Sequence, residues 1–156
     1  MQASASNVVE EIHVGSPRGP LTDWVIKKVH FHEFEGLTTN RDEEVKSPEF
    51  SCFGHRWRVE VFPGGDNVSK QGNVAVFLFN LSPESIQAEF KFILKHPTDQ
   101  TKRPFRTKSI DEMVTFGARG KEENGKGYPD FAERETMLTY LNNGTLTLEI
   151  HLRSRK

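Results

Sequence analysis

The sequence predicts an all-β fold, an antiparallel β-sandwich of about seven to eight strands, and two observations carry that prediction. Short apolar runs recur from Leu21 to Leu152, several of them alternating with polar residues. Turn-forming residues separate the runs, as at Pro63-Gly64-Gly65 and Asn142-Asn143-Gly144. The length of 156 residues fits one domain of ordinary size, with enough chain to bury a full hydrophobic core.

Each apolar run is interpreted as one strand. The predicted strands are Asp23–Phe34, Glu49–Phe53, Trp57–Phe62, Asn73–Leu81, Ile86–Leu94, Asp111–Phe116 and Thr145–Leu152. In the third run, Trp57, Val59 and Val61 share one face and predict a buried tryptophan. The last run places Leu146, Leu148, Ile150 and Leu152 inward. Helix-forming residues after Gly127 predict one short helix near Pro129–Arg134.

Composition narrows the class of protein. Residues 1–20 mix Ala, Ser, Gly and Pro and are interpreted as a flexible tail, which leaves residues 21–153 as the folded domain. The net charge of -1 favours neither nucleic acid nor an anionic membrane as a partner. A single cysteine, no visible signal peptide and no heptad pattern lead us to expect an intracellular monomer, cytoplasmic or nuclear.

No recognisable catalytic or cofactor motif is present, so the sequence predicts a protein that is not an enzyme and that holds no cofactor or metal. Cys52 is expected to be a structural thiol, with His55 facing the other way. His30 and His32 share a strand face, but the sequence places no third metal ligand near them. The segment Lys95–Lys108 has five basic residues and one acidic residue. It is interpreted as a solvated loop, with weak nucleic-acid contact as the alternative.

Several motifs, taken in order, resemble a MATH domain (meprin and TRAF-C homology). They are "SPEFSCFGHRWRVEVFPGGDN", "GNVAVFLFNLS", "AEFKFIL", "GKGYPDF" and "LTLEIHL". The similarity covers about Trp24 to Leu152, nearly everything beyond the tail. The resemblance implies a TRAF-like sandwich that binds short extended peptide segments of other proteins. Relatives often serve as substrate receptors in ubiquitination, a role that the resemblance also suggests for this chain.

The resemblance also suggests where a peptide would bind. Phe77, Phe90 and Val114 fall at positions that line the peptide groove in relatives. Where those relatives hold Trp-Gly-Phe, this chain holds Lys126-Gly127-Tyr128. Tyr128 is therefore expected to form an aromatic wall, and Lys126 to reach a polar or acidic group of the peptide.

One strand leaves a second function open. Asn73–Leu81 is apolar on both faces, so something must cover the face that bears Phe77 and Phe79. The cover is a loop or the short helix, a bound peptide, or another protein. The alternative function is therefore a structural subunit whose apolar face is permanently covered by a partner.

Overall fold

The computed structural model describes residues 7–12, 14, 20–95, 105–106 and 113–155. These residues form two antiparallel sheets packed face to face. Sheet I contains β1 (Val25–Phe31), β10 (Leu146–Ser154), β6 (Ile86–Leu94), β7 (Phe105–Arg106) and β8 (Val114–Phe116). Sheet II contains β2 (Val45–Lys46), β3 (Phe50–Cys52), β4 (His55–Phe62), β5 (Asn73–Asn80) and β9 (Gly125–Glu133). The predicted sandwich is confirmed, and the count exceeds the predicted number because β2 and β7 are two-residue strands.

The hydrophobic core lies between the sheets and follows the alternation of the sequence. The inward residues of β4 and β10, including Trp57, Val59, Leu148 and Ile150, are fully or almost fully buried. The Trp57 ring meets the Phe116 ring edge to face at 5.0 Å, joining sheet II to sheet I. Trp57 Nε1 donates a hydrogen bond of 2.9 Å to the Cys52 carbonyl, so its one polar atom is satisfied.

The short helix begins later than the sequence predicts. Helix α1 runs from Arg134 to Leu138, and β9 continues through the predicted helical segment to Glu133. Within β9, residues 129–131 lie opposite the single Ala75 of β5, which makes a bulge. Pro129 is tolerated there because β9 is an edge strand and the bulge needs no ladder donor from it. Pairing with β5 therefore overrides the helical propensity of this segment.

The relation of Cys52 to His55 also differs from the expectation. Cys52 and His55 are direct cross-strand partners in the β3–β4 hairpin, so their side chains share a face. The two-residue turn between them has positive φ at both Phe53 (54°) and Gly54 (73°), the turn type that suits the twist of a hairpin. The expectation that they face different ways was wrong because it ignored this turn. Burial raises the pKa of the Cys52 thiol, which keeps it protonated and inert.

Candidate functional site

Strand β9 is the edge of sheet II, and β5 is its only partner among the described residues. The Asn80 N–H donates to the Asn124 carbonyl at 2.9 Å, which fixes the phase of the ladder just before the strand begins. Hydrogen-bonded and non-hydrogen-bonded pairs alternate along an antiparallel ladder. Gly125 and Gly127 are therefore at positions where the N–H and C=O groups point away from β5. An edge of this kind is a template for a further strand.

The same two glycines explain what covers the outer face of β5. A Cβ atom on Gly125 would lie 2.3 Å from the Phe79 ring, and one on Gly127 would lie 2.6 Å from the Phe77 Cα. The Phe77 ring also contacts the Phe62 ring edge to face at 5.9 Å. Phe77 and Phe79 are half-buried as a result. The missing glycine side chains make room for these rings, so the sheet itself supplies part of the cover.

Three half-buried residues line the inner side of this edge, and we call them the aromatic rim: Phe90 of β6, Val114 of β8 and Tyr128 of β9. The Phe90 and Tyr128 ring centroids are 6.2 Å apart, across the gap between the two sheets. Val114 pairs with Ala88, two residues from Phe90 on the same face of sheet I. The rim therefore borders the edge whose backbone groups are unpaired.

The six residues predicted to bind a peptide divide between two surfaces. Lys126 and Tyr128 lie opposite Leu78 and Val76, whose side chains point into the core, so they face the inner side with the aromatic rim. Phe77 lies opposite Gly127 and faces the outer side of sheet II. The structure thus brings Phe90, Val114, Lys126 and Tyr128 together and places Phe77 and Gly127 on the other face of the same edge.

The charge of Lys126 is already engaged. Its Nζ atom lies 3.7 Å from Oε2 of Glu123, an ion pair between residues three apart. The Glu123 side chain is 78% exposed, and a pair so open to water holds the lysine only weakly. The expected contact between Lys126 and an acidic peptide group remains a prediction, and Glu123 competes with it.

Sequence reasoning did not include Gly125, or the Phe79 ring that lies against it, among the residues of the binding edge. The available signal was the spacing Gly125-x-Gly127 on an apolar-flanked strand, because a period of two places both glycines on one face. Without the pairing partner, that spacing is equally compatible with a flexible loop.

The outer face of sheet I carries a network of polar side chains. Nδ1 of His30 and Nδ1 of His32 are hydrogen-bonded to the hydroxyls of Thr147 (2.7 Å) and Thr145 (2.9 Å). Among the described residues, no group of three or more His, Cys, Asp or Glu side chains is arranged to hold a metal. Most of the basic segment Lys95–Lys108 lies outside the described residues.

Glu149 is a buried charge on the same face of sheet I. Its carboxylate is hydrogen-bonded to His151 Nε2 at 2.9 Å and lies 3.4 Å from Lys95 Nζ. Burial on its own raises the pKa of Glu149, but the bond to His151 and the charge of Lys95 outweigh it. The net effect holds the pKa of Glu149 below its ordinary value of 4.5.

Comparison with known families decides the identity of the domain. The family model of the MATH domain matches residues 24–152. The chain belongs to the MATH domain family. MATH domains are generally protein-interaction modules, and the chain is assigned to that class of domain. No curated protein matches the chain in a sequence search.

A solved structure supports the MATH fold independently. TRAF5 from Notothenia coriiceps superimposes with a TM-score of 0.54 at 11% sequence identity, covering 83% of this chain and 72% of that one. At this identity the likeness shows the fold alone, a TRAF-like sandwich. Within the part of the chain that the structure describes, no helix is both long and apolar enough to cross a membrane.

Proposed function

We propose that this MATH domain binds short extended segments of partner proteins by adding them as a strand beside β9. The observation that supports the proposal is the outward backbone of Gly125 and Gly127 at the end of sheet II. Two residues with two groups each offer about four backbone hydrogen bonds to an incoming strand. Each such bond contributes about 0.5–1.5 kcal/mol net, whatever the sequence of the peptide.

Selectivity would come from the aromatic rim. Alternate side chains of an added strand point to opposite faces, so every second residue would face Phe90, Val114 and Tyr128. Burying one aliphatic side chain there contributes about 1.5–3 kcal/mol. The costs of association consume much of this gain, so we expect dissociation constants of about 1 µM or weaker. Such affinities suit partners that bind and release.

The biological setting is proposed by resemblance. We place the domain in the cytoplasm or nucleus as a monomer that presents substrates to a ubiquitin ligase, with no nucleic acid or membrane as a partner. The balanced charge supports the last point, with 21 basic and 22 acidic residues.

A pair of substitutions on β8 tests the proposal. A random 12-mer peptide phage library is selected on the isolated chain, and the strongest peptide is measured by calorimetry. Val114→Glu places a charge on the aromatic rim and is expected to weaken binding at least about tenfold, because burying an unpaired charge is costly. Thr115→Glu is the matched control, since Thr115 is exposed on the opposite face of the same strand. Failure to enrich any peptide, or equal losses in the two variants, would refute binding at this edge.

The alternative function is a structural subunit with a permanently covered apolar face. The apolar residues on the outer side of sheet II favour this alternative. Phe62, Phe77 and Phe79 form an apolar cluster there, but they shield one another and the two glycines. A permanent partner would bury this cluster fully. Phe79→Lys would then abolish co-purification of such a partner while leaving peptide binding at the aromatic rim intact.

A further inference from the structure

A polar cavity of about 500 Å³ lies at the far end of sheet II, away from the aromatic rim. Its walls come from the loop before β2, the turn after β4, the start of β5 and the start of α1. The residues that matter for its chemistry are Arg41, Arg134, Gln71, Asn73 and Thr39. We call this cavity the arginine trough. Two positive side chains and no carboxylate stand among the residues that line it.

Both arginines are held in place by backbone carbonyls. Arg41 Nη1 donates to the carbonyls of Asp66 and Ser69, each at 2.7 Å. Arg134 donates to the Glu35 carbonyl at 2.9 Å through Nη2 and to the Pro63 carbonyl at 3.4 Å through Nη1. Neither guanidinium forms a salt bridge with any described residue. Their orientation is therefore fixed without neutralising their charge.

This arrangement leaves donors available. A guanidinium has five N–H groups, and two are used by each arginine, so three remain on each for a ligand. The planar fork of arginine matches phosphate and carboxylate oxygens in pairs. A phosphate monoester has three terminal acceptor oxygens and about two negative charges, which suits two forks better than a single carboxylate does.

Acidic residues near the arginine trough limit its affinity for anions. Asp130 accepts bonds from Asn73 Nδ2 at 3.0 Å and from the Lys70 N–H at 2.7 Å, and these bonds, with a smaller effect of the Lys70 and Arg41 charges, lower its pKa. Its carboxylate is committed to those groups. Glu133 and Glu135 line a second cavity of about 390 Å³ that shares Arg134. The negative charges of these two glutamates weaken the positive electrostatic field on that side of the arginine trough. We therefore expect the trough to prefer compact anions.

We propose that the arginine trough is a phosphate-binding site, occupied by a phosphate monoester group. The group is either free phosphate or a phosphorylated side chain of another protein, since both present the same oxygens. The site is independent of strand addition at β9, because none of the residues that carry it belongs to the aromatic rim.

Gln71 provides the sharpest test because it is exposed and, within the part of the chain that the structure describes, no hydrogen bond of its side chain anchors the loop. The ¹⁵N-labelled chain is titrated with sodium phosphate at constant ionic strength, and the amide shifts of Gly64, Gly72 and Asn73 are followed. Saturable shifts with a dissociation constant of about 1–10 mM are expected. Gln71→Glu should weaken binding at least about fivefold and Gln71→Lys should strengthen it, because one adds a negative and the other a positive charge.

Further variants locate the site. Arg134→Gln should weaken phosphate at least about tenfold, and Arg41→Lys at least about threefold because it keeps charge but loses the fork. Arg119→Gln is the control, since Arg119 is exposed and is not among the residues that line the arginine trough. Thermal melting of each variant separates lost binding from lost folding. The two Gln71 variants carry the decision if an arginine variant unfolds.

The source of the phosphate is settled with the peptide Ala-Ala-pSer-Ala-Ala. Binding at least about tenfold tighter than inorganic phosphate supports a phosphorylated partner, whereas equal binding supports free phosphate, and the site stands in either case. The proposal is overturned by the absence of saturable shifts up to 50 mM phosphate, which is about 5 to 50 times the expected dissociation constant. Shifts unaffected by both Gln71 variants would overturn it equally.

Discussion

Replacing Trp57 with alanine tests the core that holds the two sheets together. The side chain is fully buried, and a buried aromatic removes about 150–250 Å² from water. At about 25 cal/mol per Å² this corresponds to about 4–6 kcal/mol as an upper bound. Measured truncations of large core aromatics cost about 3–5 kcal/mol. The substitution also removes the donor to the buried Cys52 carbonyl, which adds about 1 kcal/mol. We expect a loss of about 4–6 kcal/mol in the free energy of unfolding.

Trp24 is the natural control because it is the only other tryptophan. Its half-buried ring lies under Lys91 Nζ and Arg153 Cζ, each 4.3 Å from the ring centroid. Contacts of this kind contribute about 0.5–1 kcal/mol each, so Trp24→Ala should cost about 1–2 kcal/mol. The ratio of the losses in unfolding free energy caused by the two substitutions, rather than either loss alone, shows which tryptophan joins the sheets.

Urea unfolding followed by far-ultraviolet circular dichroism measures both losses without depending on tryptophan fluorescence. Trp57→Phe keeps an aromatic ring but loses the hydrogen-bond donor, so its free energy of unfolding should lie between those of wild type and Trp57→Ala. Trp57→Phe takes the place of Trp57→Ala in the comparison if the alanine variant does not fold. A loss below about 1 kcal/mol for Trp57→Ala, or one no larger than for Trp24→Ala, would refute the central role of Trp57.

Three further outcomes are expected. Gly127→Ala should lower the free energy of unfolding by about 2–4 kcal/mol, since its Cβ would lie 2.1 Å from the Val76 carbonyl oxygen. Gly36→Ala should change the free energy of unfolding little, because no described atom lies within 4 Å of the added Cβ. Equal urea midpoints for the two variants would contradict this. Because the folded-state pKa of Glu149 lies below 4.5, this carboxylate stabilises the fold fully above pH 4.5, and the stabilisation is lost as the pH falls through the lower, folded-state pKa. Glu149→Gln should therefore flatten the acid limb of a plot of unfolding free energy against pH. An unchanged acid limb would contradict this role of Glu149. Cys52, with its raised thiol pKa, should react with iodoacetamide only after unfolding, which intact-mass spectrometry monitors; fast labelling of the folded chain would show that the thiol is accessible.

Local patterns in the sequence determined the secondary structure of most of the sandwich. The alternation in β4 and β10 fixed which residues face inward, because successive side chains of a strand point to opposite faces. Ile86–Leu94 was predicted with its observed bounds, since apolar patterning and flanking turn residues agree there. These features depend on neighbours in sequence, so they are readable without a fold.

Tertiary pairing decided everything that depends on a partner strand. Because β5 is apolar on both faces, the sequence did not reveal what lies against Phe77. Its pairing with Gly127 placed it on the outer side of sheet II. The hairpin turn set Cys52 beside His55 against expectation, and pairing with β5 kept residues 129–133 extended. In each case a contact across strands outweighed a local preference.

The arginine trough is the clearest example of a feature that only the tertiary structure decides. Arg41 and Arg134 lie far apart in the sequence, and neither belongs to a motif that marks it. They meet because the loop before β2, the turn after β4 and the helix after β9 converge at one end of sheet II. A sequence determines charge and propensity residue by residue, whereas the convergence of side chains from distant segments exists only once the sheets have paired and packed.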